Sequence, residues 1–165
     1  MKRNSIILNL VLLVVYFAFF SLLILLLGSR FGESLIRIET QNIHVFLEIL
    51  GVPNVLLGNM VYLPSDRLSF EITWQCSGMF SISLYTIIYL SLPGIRKDII
   101  SWIFGVSFLY ILNLLRIVAA VYLYHHFGEN AFSFFHYVLA PAVMFGVVII
   151  LLGYLLVKNL GKIHS

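Results

Sequence analysis

Three side chains able to do covalent chemistry together are spread along this chain: the thiol of Cys76, the guanidinium of Arg116 and the imidazole of His136. Cys76 is the chain's single cysteine. It therefore forms no internal disulfide, no CxxC redox pair and no thiolate-rich metal site; it is core filler or it does chemistry alone. A free thiol ionises near pH 8.5, roughly, and only the thiolate attacks well; a helix N-terminus and a nearby cation both favour that form. Cys76 is followed by Ser77-Gly78 at an expected helix start, where the backbone can approach a substrate closely. His136 is suited to take the thiol proton and return it to a leaving amine. Arg116 stays protonated, so it is no base, but it can stabilise a thiolate or the oxyanion of a tetrahedral intermediate. Asn113 lies one helical turn before Arg116 on the same face, able to orient it or to donate a hydrogen bond.

These residues are informative only if the fold brings them together. Of the 165 residues 61% are hydrophobic and 10% charged, with mean hydropathy +1.04. An average soluble domain is roughly a quarter charged, so this chain has too few polar side chains to cover a globule in water. The composition is that of an integral membrane protein, and it excludes disorder, collagen-like repeats and disulfide scaffolds. Net charge is +3. No contiguous basic stripe exists, so the charge points to membrane topology and not to nucleic acid.

The expected fold is all-α, in one membrane domain covering 1–165, with about four spans at 6–27, 74–92, 99–122 and 136–157. Each is long enough, or nearly so, for a hydrocarbon core of roughly 30 Å. Pro93-Gly94 ends the second. Lys2 and Arg3, Arg96 and Lys97, and Lys158 and Lys162 all fall on one side of a four-span chain. The positive-inside rule makes that side cytoplasmic, with both termini there. Cys76 then starts the second span from outside. Arg116 lies roughly 25 Å up the third, near its outer end. His136 starts the fourth from outside. All three share one depth at the extracytoplasmic face.

Two segments are expected outside the bilayer. In Glu33–Leu50, the residues Glu33, Arg37, Gln41, His44 and Glu48 form a polar helical stripe. Leu35, Ile38, Ile43, Phe46, Leu47 and Leu50 take the remaining face, which reads as an amphipathic helix lying at the interface or packed on the bundle. The alternative is a fifth span with its stripe turned inward. It would put the basic loop and the tail on the side opposite the N-terminus, against the charge rule. Between Leu57 and Gln75, Met60, Tyr62 and Leu63 precede a turn at Pro64-Ser65-Asp66, and Leu68, Phe70 and Ile72 alternate after it. That is a short hairpin.

Taken singly, a Cys in an apolar helix is a small buried hydrophobe, an Arg near a helix end a snorkelling anchor, and an interfacial His a belt residue. The conjunction carries more, and so does the text around it. Trp74-Gln75-Cys76-Ser77-Gly78 resembles the Cys-Ser/Thr-Gly motif of exosortases and archaeosortases. Asn113-Leu114-Leu115-Arg116 resembles their Asn-x-x-Arg motif, and Phe135-His136 their third motif, built on a His. The order matches, as do the basic loop Arg96-Lys97 and the segment Leu50-Gly51-Val52 ahead of the hairpin. The resemblance covers roughly residues 40–157.

This resemblance implies a membrane cysteine transpeptidase acting on exported proteins with a C-terminal signal: a short motif, a transmembrane helix and a basic tail. It implies cleavage near the motif, a thioester intermediate and transfer to an acceptor, in archaea a lipid. Cys76 would be the nucleophile, Arg116 the transition-state stabiliser and His136 the acid/base, with Ser77, Gly78 and Asn113 near the substrate. No cofactor and no metal is implied. The chain departs from larger members in being short. His125 and His126 also lie outside and compete for the role of base, although Phe135-His136 at a span entrance suits it better.

Other classes remain as rivals. A non-catalytic membrane subunit would tolerate replacement of Cys76, Arg116 and His136 singly. A metal site would draw on His125, His126, Glu129 and His136, but no HExxH pair is present. A transporter would want an ionisable residue near mid-membrane.

Overall fold

The computed structural model describes residues 2–73, 76–91 and 99–160. Trp74 and Gln75 of the first motif, Pro93-Gly94, the loop Arg96-Lys97 and Lys162 lie outside them. Helix α1 runs from Lys2 to Ile49. A three-stranded antiparallel sheet follows, with β1 at Val55–Leu57, β2 at Met60–Leu63 and β3 at Leu68–Glu71, in the order β1-β2-β3. Then come α2 at Met79–Ser91, α3 at Ile99–Phe134, a π-helical turn at Phe135–Leu139 and α4 at Ala140–Leu160.

α1 differs from expectation: the first span and the amphipathic segment form one continuous helix of 48 residues. The apolar run ends at Leu27, but the end of an apolar run is not the end of a helix. No proline interrupts the chain before Pro53. α1 stops where Gly51 takes φ +75 and the Val52 N–H returns to the Leu47 carbonyl at 2.9 Å, a left-handed helix cap. The polar stripe is outward as expected at Glu33, Arg37, Gln41 and Glu48. The buried face is a different one: Glu39, Thr40, Ile43 and Leu47, while Leu35, Ile38, Phe46 and Leu50 are exposed.

The expected hairpin is β2–β3, with Leu63 opposite Leu68 and Met60 opposite Glu71. A further strand, β1, precedes it, joined through Gly58-Asn59 with Leu57 opposite Met60. Gly58 takes φ +65, the positive value a two-residue hairpin turn demands.

α2 is shorter than the expected 74–92 and begins at Met79, because Gly78 sits at φ +68, outside helical space. Its apolar stretch Met79–Leu90 is less than a full crossing in length. Among the described residues one apolar stretch is long enough to cross a membrane, Ile99–Val157, 59 residues. Straight, it would measure roughly 88 Å, about three hydrocarbon thicknesses. It folds back instead. Gly128 (φ 78, ψ −171) breaks the helix, and Leu109 of α3 packs against Met144, Val148 and Leu152 of α4. The start expected at His136 therefore falls inside this second limb, on its π turn.

Two cores result. One joins Ile43 and Leu47 of α1 to Val61 and Leu63 of β2 and to Leu114, Ile117, Val118 and Val121 of α3. The other joins Tyr85 and Tyr89 of α2 to Leu109 and to Met144, Val148, Leu152 and Leu155 of α4. Each aliphatic side chain that leaves water in the first core contributes about 1.5–3 kcal/mol, whereas helices that meet within lipid are held by close packing. Along α3 the second core gives way to the first between Leu109 and Leu114. Asn113 lies at that junction and Arg116 one helical turn beyond it.

Candidate active site

Cys76 lies on the turn between β3 and α2, half-buried against the first core. Its N–H bonds to the Thr73 carbonyl at 2.9 Å, and the Thr73 hydroxyl donates to Sγ at 3.5 Å. Two residues on, the Gly78 carbonyl accepts the first hydrogen bond of α2, from Ile82 N–H at 3.1 Å. The thiol thus precedes a helix N-terminus, whose dipole favours an anion.

Asn113 and Arg116 converge on this turn from α3. The Asn113 side-chain amide donates to the Cys76 carbonyl at 2.8 Å, and Arg116 Nη2 donates to the same oxygen at 3.1 Å. The second Asn113 amide N–H donates to Glu39 Oε1 of α1 at 2.9 Å. Asn113 is 1% exposed, Ser77 is buried, and Gly78 lies directly under the Asn113 side chain. Asn113 Oδ1 and Arg116 Nε are buried without a hydrogen-bond partner among the described residues. Arg116 is within electrostatic range of both Cys76 and Glu39.

His136 reaches the same neighbourhood from the π turn, within electrostatic range of Arg116. The extra residue of a π turn re-aims side chains and often marks a functional position. The imidazole stacks on Phe132 with centroids 5.1 Å apart, and Phe132 packs against Phe70 of β3 and Tyr124 of α3. An aromatic chain therefore ties His136 to the strand that leads into Cys76. His125 is engaged elsewhere: its Nδ1 lies 2.7 Å from Asp66 Oδ2, on the β2–β3 turn. The His126 ring lies tilted against Tyr122, with centroids 4.3 Å apart. Among the described residues no three His, Cys, Asp or Glu side chains gather as a metal-binding set.

A cavity of about 280 Å³ opens from this cluster. Its polar end is Gly78, Ser81, Asn113 and Arg116; Phe80, Leu84, Pro141, Met144, Phe145 and Val148 line the remainder.

Glu39 and Thr73 were not singled out by the sequence reading. Glu39 falls within the Glu33–Leu50 segment but outside its polar stripe. Its signal was phase: it shares the helical face of Ile43 and Leu47, one residue from Thr40, where a solvated charge does not belong. Burial pushes its carboxyl up to about 7, although the Asn113 hydrogen bond and the Arg116 charge both pull it down.

The family model for transmembrane exosortase matches residues 5–154. The chain is also 29% identical over 146 residues to probable archaeosortase E of Methanocaldococcus jannaschii, covering 88% of this chain and 78% of that relative. No solved structure matches it. The matched stretch runs from α1 into α4 and contains Cys76, Asn113, Arg116 and His136 together. With its long apolar hairpin, this is a membrane protein, and it belongs to the transmembrane exosortase family.

Proposed function

We propose that this protein is a cysteine transpeptidase that cleaves the C-terminal sorting signal of exported proteins and passes them to an acceptor, a lipid being the acceptor the family resemblance suggests. The observation that carries the reading is the double hold on the carbonyl of the lone cysteine by Asn113 and Arg116, two residues that also line a slot turning from polar to apolar. A substrate whose cleavage motif is followed by a transmembrane helix suits such a slot, with the motif at the polar end and the helix toward lipid.

In this reading the Cys76 thiolate attacks the scissile carbonyl carbon. Arg116, aided by the α2 N-terminus, stabilises the oxyanion that forms. His136 takes the thiol proton and delivers it to the leaving amine as the C–N bond breaks, which leaves a thioester on Cys76. A hydroxyl or amine of the acceptor then attacks the thioester, gives up its proton to His136 and releases the thiol. Ser77 and Gly78 border the reacting carbonyl. The same reading places four spans in the membrane, both termini in the cytoplasm and the sheet and site at the extracytoplasmic face.

Mass spectrometry of exported proteins' C-termini, in the native host and in a Cys76→Ala strain, tests it. A set of proteins that keeps its hydrophobic tail only in the mutant supports the reading, and the mass added in the wild type identifies the acceptor. Unchanged tails with folded mutant protein in the membrane would replace it with a non-catalytic membrane subunit.

A further inference from the structure

Glu39 has no part in the chemistry above, yet it is 2% exposed. Burying a carboxyl group costs several kcal/mol unless a specific partner compensates. Its hydrogen-bond partner is the amide of Asn113, and the geometry of that amide is the key. Both groups facing Asn113 Nδ2, Glu39 Oε1 and the Cys76 carbonyl, are acceptors. Were the amide turned over, its oxygen would face two oxygens. The two acceptors together therefore fix which way the amide points.

The consequence reaches the thiol. The Cys76 carbonyl is held by two donors, Asn113 at 2.8 Å and Arg116 at 3.1 Å. Without Glu39, one of the two acceptors that orient the Asn113 amide is lost, and the amide's hold on the Cys76 carbonyl loosens. We propose that Glu39 is a positioning residue: by accepting from Asn113 it locks the amide onto the Cys76 carbonyl and so fixes the turn that presents the thiol. The inference rests on the reading of Cys76 as the reacting group. It requires an acceptor oxygen at this position, not a negative charge, so Glu39→Gln keeps the function. Glu39→Asp withdraws the acceptor by one methylene and loses it.

Because Cys76 is the only cysteine, its alkylation by iodoacetamide reads the turn directly in the purified full chain. At about pH 9.5 the ordinary thiol is largely ionised, and the rate reports access. Glu39→Ala and Glu39→Asp are expected to raise that rate roughly tenfold, the factor that one lost hydrogen bond supports. Glu39→Gln should stay within about twofold of wild type. In cells, the rate of tail removal from the exported proteins identified by the C-terminal survey should fall roughly tenfold in the first two variants and recover in the third. Equal alkylation rates in all four proteins would overturn the proposal. So would the reverse order, with Asp like wild type and Gln like Ala, which would mark a charge effect on Arg116. If Glu39→Ala does not fold, the Asp and Gln pair still decides. Normal tail removal in Cys76→Ala would instead defeat the transpeptidase reading, whatever the alkylation rates.

Discussion

Gly78 and Asn113 are pressed together so closely that a Cβ on Gly78 would lie 2.7 Å from Asn113 Cγ and 2.8 Å from its Cβ. Gly78 also holds φ +68, where L side chains are strained. Either reason alone favours glycine; together they leave no relaxed route for a larger residue. Asn113 cannot yield without releasing the Cys76 carbonyl and Glu39 at once. Gly78→Ala should therefore cost about 1–3 kcal/mol of stability and, per folded molecule, at least tenfold in tail removal. Thermal melting in detergent and a pulse-chase of tail loss check the two parts separately.

Gly105 supplies the contrasting case. A Cβ there would collide with the Tyr85 ring and hydroxyl, at the contact between α2 and α3 in the second core. The Tyr85 hydroxyl donates to the Ser101 carbonyl at 3.3 Å, so the ring has little room to move aside. Gly105→Ala should lower the melting temperature by an overpacking cost of about 1–3 kcal/mol. It touches neither Asn113 nor Arg116, so activity per folded molecule should stay within about twofold of wild type. A tenfold loss per folded molecule would mean that the α2–α3 contact sets the site geometry.

The pH dependence of stability follows from Glu39. Its carboxyl is raised from 4.5 to about 7 by burial. Between those values the unfolded chain ionises while the folded protein keeps the proton, so folding binds protons and stability falls as pH rises. Below pH 4.5 neither state is ionised and the penalty vanishes; above about 7 it is complete, on the order of 3 kcal/mol. Glu39→Gln carries no such group. The melting difference between Glu39→Gln and wild type should grow from pH 4.5 to 7 in favour of the variant and then level off. A constant difference across that range would mean that Glu39 is not buried as a neutral acid.

What the sequence made legible was chemistry at spacing. The positions of Cys76, Arg116 and His136 along three spans put them at one depth, with Asn113 a turn from Arg116; in the structure Asn113 and Arg116 bond to the Cys76 carbonyl, and His136 lies within electrostatic range of Arg116. Long apolar helices and the β2–β3 hairpin were also legible, because hydropathy and turn residues are local signals. Three things were not. The continuity of α1 past Leu27 depends on the absence of helix breakers, which a hydropathy pattern does not measure. β1 has only three residues, too few for an alternation to register. Glu39 was hidden because a charged residue on an amphipathic helix is by default outward. Only the pairing with Asn113, 74 residues later, makes an inward carboxyl tolerable.

The two histidine arrangements make the last prediction. His125 sits 2.7 Å from Asp66 and ties the β2–β3 turn to α3, while His136 stacks on Phe132 within range of Arg116. If His136 is the proton carrier, His136→Ala should lower tail removal by about 10²–10⁴-fold, the usual worth of a general acid-base group. Protein level and melting should change little, since the imidazole is only half-buried. His125→Ala should do the opposite. It leaves Asp66 without its partner, so it should cost about 1 kcal/mol or somewhat more in stability and leave turnover within about threefold. The Asp66→Asn variant should match His125→Ala, and the double variant should cost no more than either alone, as for a single shared contact. Tail removal that survives in His136→Ala but is lost in both His125→Ala and Asp66→Asn would transfer the acid-base role to the His125–Asp66 pair.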